Sequence, residues 1–257
     1  MELRGISFIP FVLGFSLVVA SLGLCDAVAI WLFDEGEGKV VRDSSGNGND
    51  GEITGIPLWV DGKFGKALYF DMGKKGVDYI TVPDSDVLDL EDSVTVMAWI
   101  KPEEIGGLRF ILKKEAVYEP ILVDDKAAFY IANPSEKWKD PAKGSTSLKV
   151  GEWYHIAGTF DGETIRVYVN GKLDGEAKYK GKIGVTDRVI MMGSNVMNNQ
   201  PLRNVPPFVG VMDEVAIFDE ALSEDVIRSL MTKGLASLMD VEPEGKLSVT
   251  WGEIKLR

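Results

Sequence analysis

Nine consecutive residues, Asp43 to Gly51 (D-S-S-G-N-G-N-D-G), place carboxylates, amides and hydroxyls on a stretch that is otherwise glycine. Small polar residues and glycine are disfavoured inside helices and strands, so the run must form a tight loop. Several oxygen donors on a flexible turn are what a hard cation such as Ca²⁺ requires. Asp43, Asn47, Asn49 and Asp50 are the candidates there. The plainer alternative is a turn held only by Asx hydrogen bonds.

The other reactive side chains point away from catalysis. His155 is the only histidine. A catalytic histidine needs an orienting carboxylate and usually a nucleophile, whereas His155 lies inside the strand-like run Glu152–Phe160, where a packing role is expected. Glu103-Glu104 and Asp124-Asp125 read as solvated turns. Asp213-Glu214 are neighbours on a strand-like segment, and a regular period of two sends neighbours to opposite faces, which does not suit an acid/base pair.

Trp138 stands out among the aromatics because it lies in Asn133–Ser147, a loop of Lys, Asp, Pro and Ser. An exposed indole can stack on the apolar face of a sugar ring. Tyr118, with Asn198 and Asn199 from the amide-rich insertion Ser194–Asn204, would supply hydrogen bonds beside it. The alternative is an indole folded back onto the domain surface. Trp31, Trp99 and Trp153 fall in strand-like runs and are expected in the core.

These residues need a scaffold of short strands. Val28–Phe33, Ala67–Phe70, Tyr79–Val82, Ser93–Lys101, Arg109–Lys113, Ala127–Ala132, Val189–Met192 and Val209–Phe218 are apolar or alternating runs. Asp84–Leu90 reads as a polar connection. The clearest hairpin runs from Glu152 to Glu176, turning at Asp161-Gly162 and Asn170-Gly171, whose residues tolerate the positive φ of primed turns. One helix is expected over Ser223–Lys233, with Ser223 as N-cap, Glu224 and Asp225 in the first turn, and Gly234 at the end. No fixed-period repeat and no βα alternation is present. The pattern predicts an all-β, two-sheet antiparallel jelly-roll sandwich with one short C-terminal helix.

The ends are different. Residues 1–27 hold a charge-free apolar run from Ile6 to Leu24, then small residues at Cys25 and Ala27 that suit signal-peptide cleavage. The run is longer than an ordinary signal core, so an uncleaved N-terminal anchor is the alternative. Residues 28–234 form the domain, and 235–257 are a tail with strand-like character around Trp251. Cys25 is the only cysteine, which removes thiol catalysis, thiolate metal sites and disulfides from the domain. With 28 Lys+Arg against 40 Asp+Glu the formal charge is -12. That balance repels phosphate backbones and excludes nucleic acid as a partner.

An ordered series of motifs then identifies a resemblance. It comprises Trp31–Gly36, Asp43–Asn47, Gly62–Ala67, Val94–Pro102, Gly151–Ala157, Tyr168–Gly171, and Gly210–Val215 before Ala221-Leu222-Ser223. In this order the chain, from about Val28 to Lys233, resembles the LamG-like, concanavalin A-like jelly-roll domains of the laminin-G/pentraxin group, common in bacterial exported proteins. The resemblance implies two curved antiparallel sheets and one structural Ca²⁺, with Asp43 and Asn47 matching the metal loop and Asp213 closing it from a late strand. It also implies binding of a glycan or an extracellular protein rather than catalysis. The jelly-roll glucanases of that superfamily carry E-x-D-x-x-E on one strand, which is missing from this chain. The expectation is an exported, non-catalytic module with no membrane insertion of the mature domain. The competing expectations are an unusual glycoside hydrolase or lyase, and an adhesion protein without a small ligand. The oligomeric state is not fixed by the sequence.

Overall fold

Alternating and fully apolar runs fold into strands throughout the structure, a computed structural model that describes residues 27–56, 58–71, 79–135, 140–197, 200–202 and 205–239. In chain order they begin with β1 (Ala27–Trp31), β2 (Val40–Val41), β3 (Gly51–Thr54), β4 (Leu58–Asp61), β5 (Lys66–Phe70), β6 (Tyr79–Val82) and β7 (Val94–Pro102). Next come β8 (Leu108–Phe110), β9 (Leu112–Lys114), β10 (Tyr118–Val123), β11 (Lys126–Ile131) and β12 (Ala142–Lys143). The last are β13 (Tyr154–Phe160), β14 (Thr164–Val169), β15 (Lys172–Lys178), β16 (Ile190–Met192), β17 (Val196–Met197), β18 (Gln200–Pro201) and β19 (Gly210–Phe218).

They build two large antiparallel sheets, while β17 and β18 pair only with each other. The first has the order β15-β14-β13-β7-β19-β5-β4, with β1 also on β19. Along β19, Gly210–Met212 pair with β5 and Val215–Phe218 pair with β1, so the two neighbours share one side of the strand. The second sheet runs β12-β11-β10-β9-β16-β6-β3-β2, with β8 on β10. The expected jelly-roll sandwich is the observed fold.

Facing side chains of the two sheets form the main core, including Trp31, Phe70, Leu112, Tyr118, Phe129, Ile156 and Ile217. A second apolar cluster lies on the outside of the first sheet. There Ile227 and Leu230 of α1 (Glu224–Lys233) cover Ile30, Met97, Tyr168 and Phe218. β7, β13 and β19 are therefore buried on both faces, which is why each reads as a near-continuous apolar run.

Local chemistry explains the connections. Asn170 and Gly171 both take positive φ, 51° and 71°, as a primed hairpin turn demands. Ser223 caps α1 by accepting from Val226 N, and Gly234 ends it. Some strands were not legible. Tyr118–Val123 contains Glu-Pro and is nevertheless a well-paired strand, because Pro120 needs no donor there and its carbonyl accepts from Ile111 N. That same contact marks the break of the expected strand Arg109–Lys113 into β8 and β9.

Candidate functional site

Strand alternation puts one row of side chains on the outer face of the second sheet. The registers Glu52↔Thr81, Thr81↔Met191, Met191↔Lys113 and Glu119↔Tyr130 run across β3, β6, β16, β9, β10 and β11. Tyr118 pairs with Lys114, so the next residues along, Glu119 and Lys113, lie side by side. Lys113 Nζ donates to Asn195 Oδ1 at 2.8 Å, stands 3.6 Å from Glu119 Oε1, and sits 4.7 Å from the centre of the Phe110 ring. Glu119 Oε1 also accepts from Ala116 N. All three polar residues of this cluster are buried. Burial pushes the Glu119 carboxyl up, and Lys113 only partly offsets it.

Apolar surface adjoins the cluster. Phe110, Ile121 and Ala128 pack with the half-buried Val123, Tyr130 and Val205. The segment that carries Asn195 and Val205 is pinned further along, where Arg109 donates to Pro207 O at 2.7 Å and to Glu104 Oε2 at 2.9 Å. Burial raises the Tyr130 hydroxyl, and the charges of Glu119 and then of Asp140, midway along the 133–147 loop, add to it. Both loops singled out in the sequence therefore flank this face.

Of the expected ligand-binding residues, Trp138, Asn198 and Asn199 lie outside the described residues. Tyr118 is a correction. Its side chain is fully buried in the main core, where its hydroxyl donates to Leu88 O at 3.1 Å. Tyr118 falls on the inward parity of β10, and Tyr130 on β11 is an outward aromatic of this face, beside Phe110. Lys113 and Glu119 were missed, although a lysine and a glutamate interrupting apolar strands were the available signal.

The expected metal residues separate into two hydrogen-bonded groups. Asp43 Oδ1 accepts from Ile30 N and Ser45 N, and Oδ2 accepts from Asn49 N. Asn47 Nδ2 donates to Ala27 O and Val28 O, Asn49 Nδ2 to Val28 O, and Ser44 N to Ile30 O. The loop thus does for the outer edge of β1 what a neighbouring strand would do. Asp213 serves another turn, its Oδ2 accepting from Lys63 N at 2.7 Å and Phe64 N at 3.0 Å. It shares no hydrogen-bonding partner with Asp43 or Asn47. Among the described residues no three His, Cys, Asp or Glu side chains converge as a metal-holding group. As placed, these donors serve the main chain and do not form one cation cage.

Asp213 and Glu214 also depart from the strand-period expectation. β19 bulges between Asp213 and Ala216, and Glu214 adopts φ 49°. Both carboxylates consequently turn toward the 62–65 hairpin and the end of α1, where Glu214 Oε2 accepts from Leu235 N. Burial pushes each carboxyl up to about 7. Beside them the outer face of the first sheet carries an aromatic cluster, in which Trp99 and His155 are buried and Trp153 is half-buried. Trp99 meets His155 and Trp153 edge-on at 5.3 and 6.3 Å, with Lys63 Nζ 4.3 Å over the Trp99 ring. Trp31 is in the main core as expected, whereas Trp99 and Trp153 pack outside it. His155 has the expected packing role; burial lowers its imidazole to about 3.

Known proteins set this geometry in context. Domain 4 of AbnA, a GH43 extracellular arabinanase from Geobacillus stearothermophilus solved with arabinotriose, is similar over 80% of this chain and 98% of its own, at 24% identity and a TM-score of 0.65. The binding domain of Paraclostridial Mosquitocidal Protein 1 matches 81% of this chain at 18% identity and a TM-score of 0.65. The botulinum neurotoxin DC binding domain in complex with SialylT matches 84% of it at 14% identity and a TM-score of 0.62. This chain spans about half of each toxin domain, 52% in both cases. No curated protein matches significantly in sequence. The family described as the concanavalin A-like lectin/glucanases superfamily matches residues 74–228, more than half of the sequence. The chain belongs to the concanavalin A-like lectin/glucanases superfamily.

Proposed function

We propose that this domain is an exported, non-catalytic module that binds a glycan on the outer face of its second sheet. The observation that carries the reading is the buried Lys113–Glu119–Asn195 cluster on a solvent-side face, next to the aromatic Tyr130 and between two polar loops. An ammonium, a carboxylate and an amide beside an aromatic ring suit a polyhydroxylated ligand, which needs directional hydrogen bonds and one apolar surface. Arabinotriose bound to the arabinanase domain and SialylT bound to the toxin domain add support by analogy of fold. No helix among the described residues is long and apolar enough to cross a membrane.

A panel of arabino-oligosaccharides and sialylated oligosaccharides, titrated against residues 28–257, tests the reading. Binding is expected for one class, with Tyr130→Ala weakening it roughly tenfold or more, the loss of a stacking contact and its neighbours. A silent panel, or binding indifferent to both Tyr130→Ala and Glu119→Gln, rejects this site and leaves protein adhesion as the better account. A structural Ca²⁺ on the 43–50 loop is a separate proposal. It is supported by the six oxygen-bearing side chains of Asp43, Ser44, Ser45, Asn47, Asn49 and Asp50.

A further inference from the structure

On the outer face of the first sheet, the apolar cluster that α1 seals reaches only part of the way along the strands. Met97 of β7 and Ala157 of β13 share that cluster with Ile227 and Leu230 of the helix. The next pair on the same face, Trp99 opposite His155, lies outside it. One step further, Trp153, Lys101, Val211 and Tyr69 stand in a row beside one another, because Tyr154 pairs with Ile100, Lys101 with Val211 and Val211 with Tyr69. Three strand spacings make this row about 14 Å long. Trp153, Lys101 and Tyr69 are half-buried, and Lys63, which reaches in from the 62–65 hairpin, is exposed.

The acidic groups along this row are engaged. Asp213 is held by the hairpin amides, Glu103 Oε2 accepts from the Tyr69 hydroxyl at 2.7 Å, and Glu152 accepts from the Tyr154 hydroxyl and pairs with Lys149. Lys63 and Lys101 form no ion pair with a described residue. Lys63 Nζ rests 4.3 Å over the Trp99 ring. A cation–π contact steadies an ammonium while leaving its protons free to donate. Two lysines without counter-charges thus stand beside the two indoles of Trp99 and Trp153, which meet edge-on.

We propose that this end of the first sheet is a second ligand site, taking a glycan whose sugars carry a carboxylate, with a sugar ring on Trp153 and the carboxylate on Lys63 and Lys101. The indole supplies the apolar surface that the C–H face of a sugar covers. The ammonium groups supply charge-assisted hydrogen bonds that a neutral sugar cannot use. An acidic peptide would answer the lysines and leave the indole idle. The site lies on the opposite sheet from Tyr130 and stands independently of the one proposed there.

Titration of the full chain with a galacturonic acid trimer, a hyaluronan tetrasaccharide and sialyllactose, followed by tryptophan fluorescence, tests this. At least one is expected to bind, and its carboxyl-reduced counterpart to bind roughly tenfold or more weakly. Combining Lys63→Ala with Lys101→Ala should cost a similar factor, and so should Trp153→Ala, while Tyr130→Ala leaves the affinity unchanged. The lysine pair reports even if the loss of Trp153 disturbs the fold, because an unchanged melting temperature shows that the double variant is intact. Silence from all three sugars overturns the proposal, as does affinity indifferent to the lysines. Loss of binding in Tyr130→Ala alone overturns it too, since the sugar would then sit on the second sheet. Equal binding of an oligoglutamate would replace the glycan by an acidic peptide.

Discussion

His155 shows how one residue can be decided by its surroundings rather than by its chemistry. It is buried against Trp99, its Nδ1 has no hydrogen-bond partner among the described residues, and burial lowers its pKa to about 3 from 6.5. The unfolded chain therefore binds a proton in a window where the folded chain does not. The stability this group contributes is complete above pH 6.5 and is lost as pH falls toward 3. Asp213 and Glu214 act in the opposite sense, since their contribution is lost as pH rises through about 7. Comparing variants cancels that second effect. His155→Phe is expected to flatten the acid limb of a melting-temperature profile between pH 6.5 and 4, relative to the parent. The limiting slope for one such proton is about 1.4 kcal/mol per pH unit. Identical profiles would mean that the imidazole is solvated.

At the scale of elements, packing between the sheets sets the tightest constraints. A Cβ added at Gly158 of β13 would overlap the ring of Phe129 of β11. Both residues lie in strands whose registers are fixed by neighbours, so neither can retreat. Gly158→Ala should destabilise the domain by about 1–3 kcal/mol, the usual consequence of overpacking, read as a lower midpoint in urea. Phe129→Leu in the same chain should recover part of it, a non-additive pair. Additive losses would show that the two residues do not meet. The reason a glycine sits in the middle of so apolar a strand was not visible in β13 alone. It lies in the opposite sheet.

For the whole molecule the first question is what holds its edges. The 43–49 loop closes the edge of β1 with side chains and main chain, and a cation would add to that closure only by recruiting oxygens these hydrogen bonds leave over. If Ca²⁺ is bound there, EDTA should lower the melting temperature by several degrees, with Ca²⁺ restoring it, through the ordinary linkage of ligand to the folded state. Asp43→Ala should abolish that response while itself destabilising the fold through three lost amide contacts. A melting temperature indifferent to EDTA retires the metal and leaves the loop as a hydrogen-bonded edge cover. The proposed glycan face lies on the other sheet, so calcium removal should leave ligand affinity unchanged at temperatures where the domain stays folded.

The sequence by itself determined the fold class. Apolar runs, Asn-Gly turns, the Ser223 cap and the ordered motifs each depend on local periodicity or local turn chemistry, and these survive folding unchanged. It also marked Asp43–Gly51 as a loop rich in oxygen donors. Only the tertiary structure decided what those donors face, because Asp43 and Ile30 meet through strand pairing and not through spacing. The same holds for Tyr118, which one residue of register turns into the core, and for Lys113 and Glu119, which that register brings together outside it. Side-chain direction on a strand is settled by which neighbours pair with it, and in a sandwich those neighbours come from distant parts of the chain.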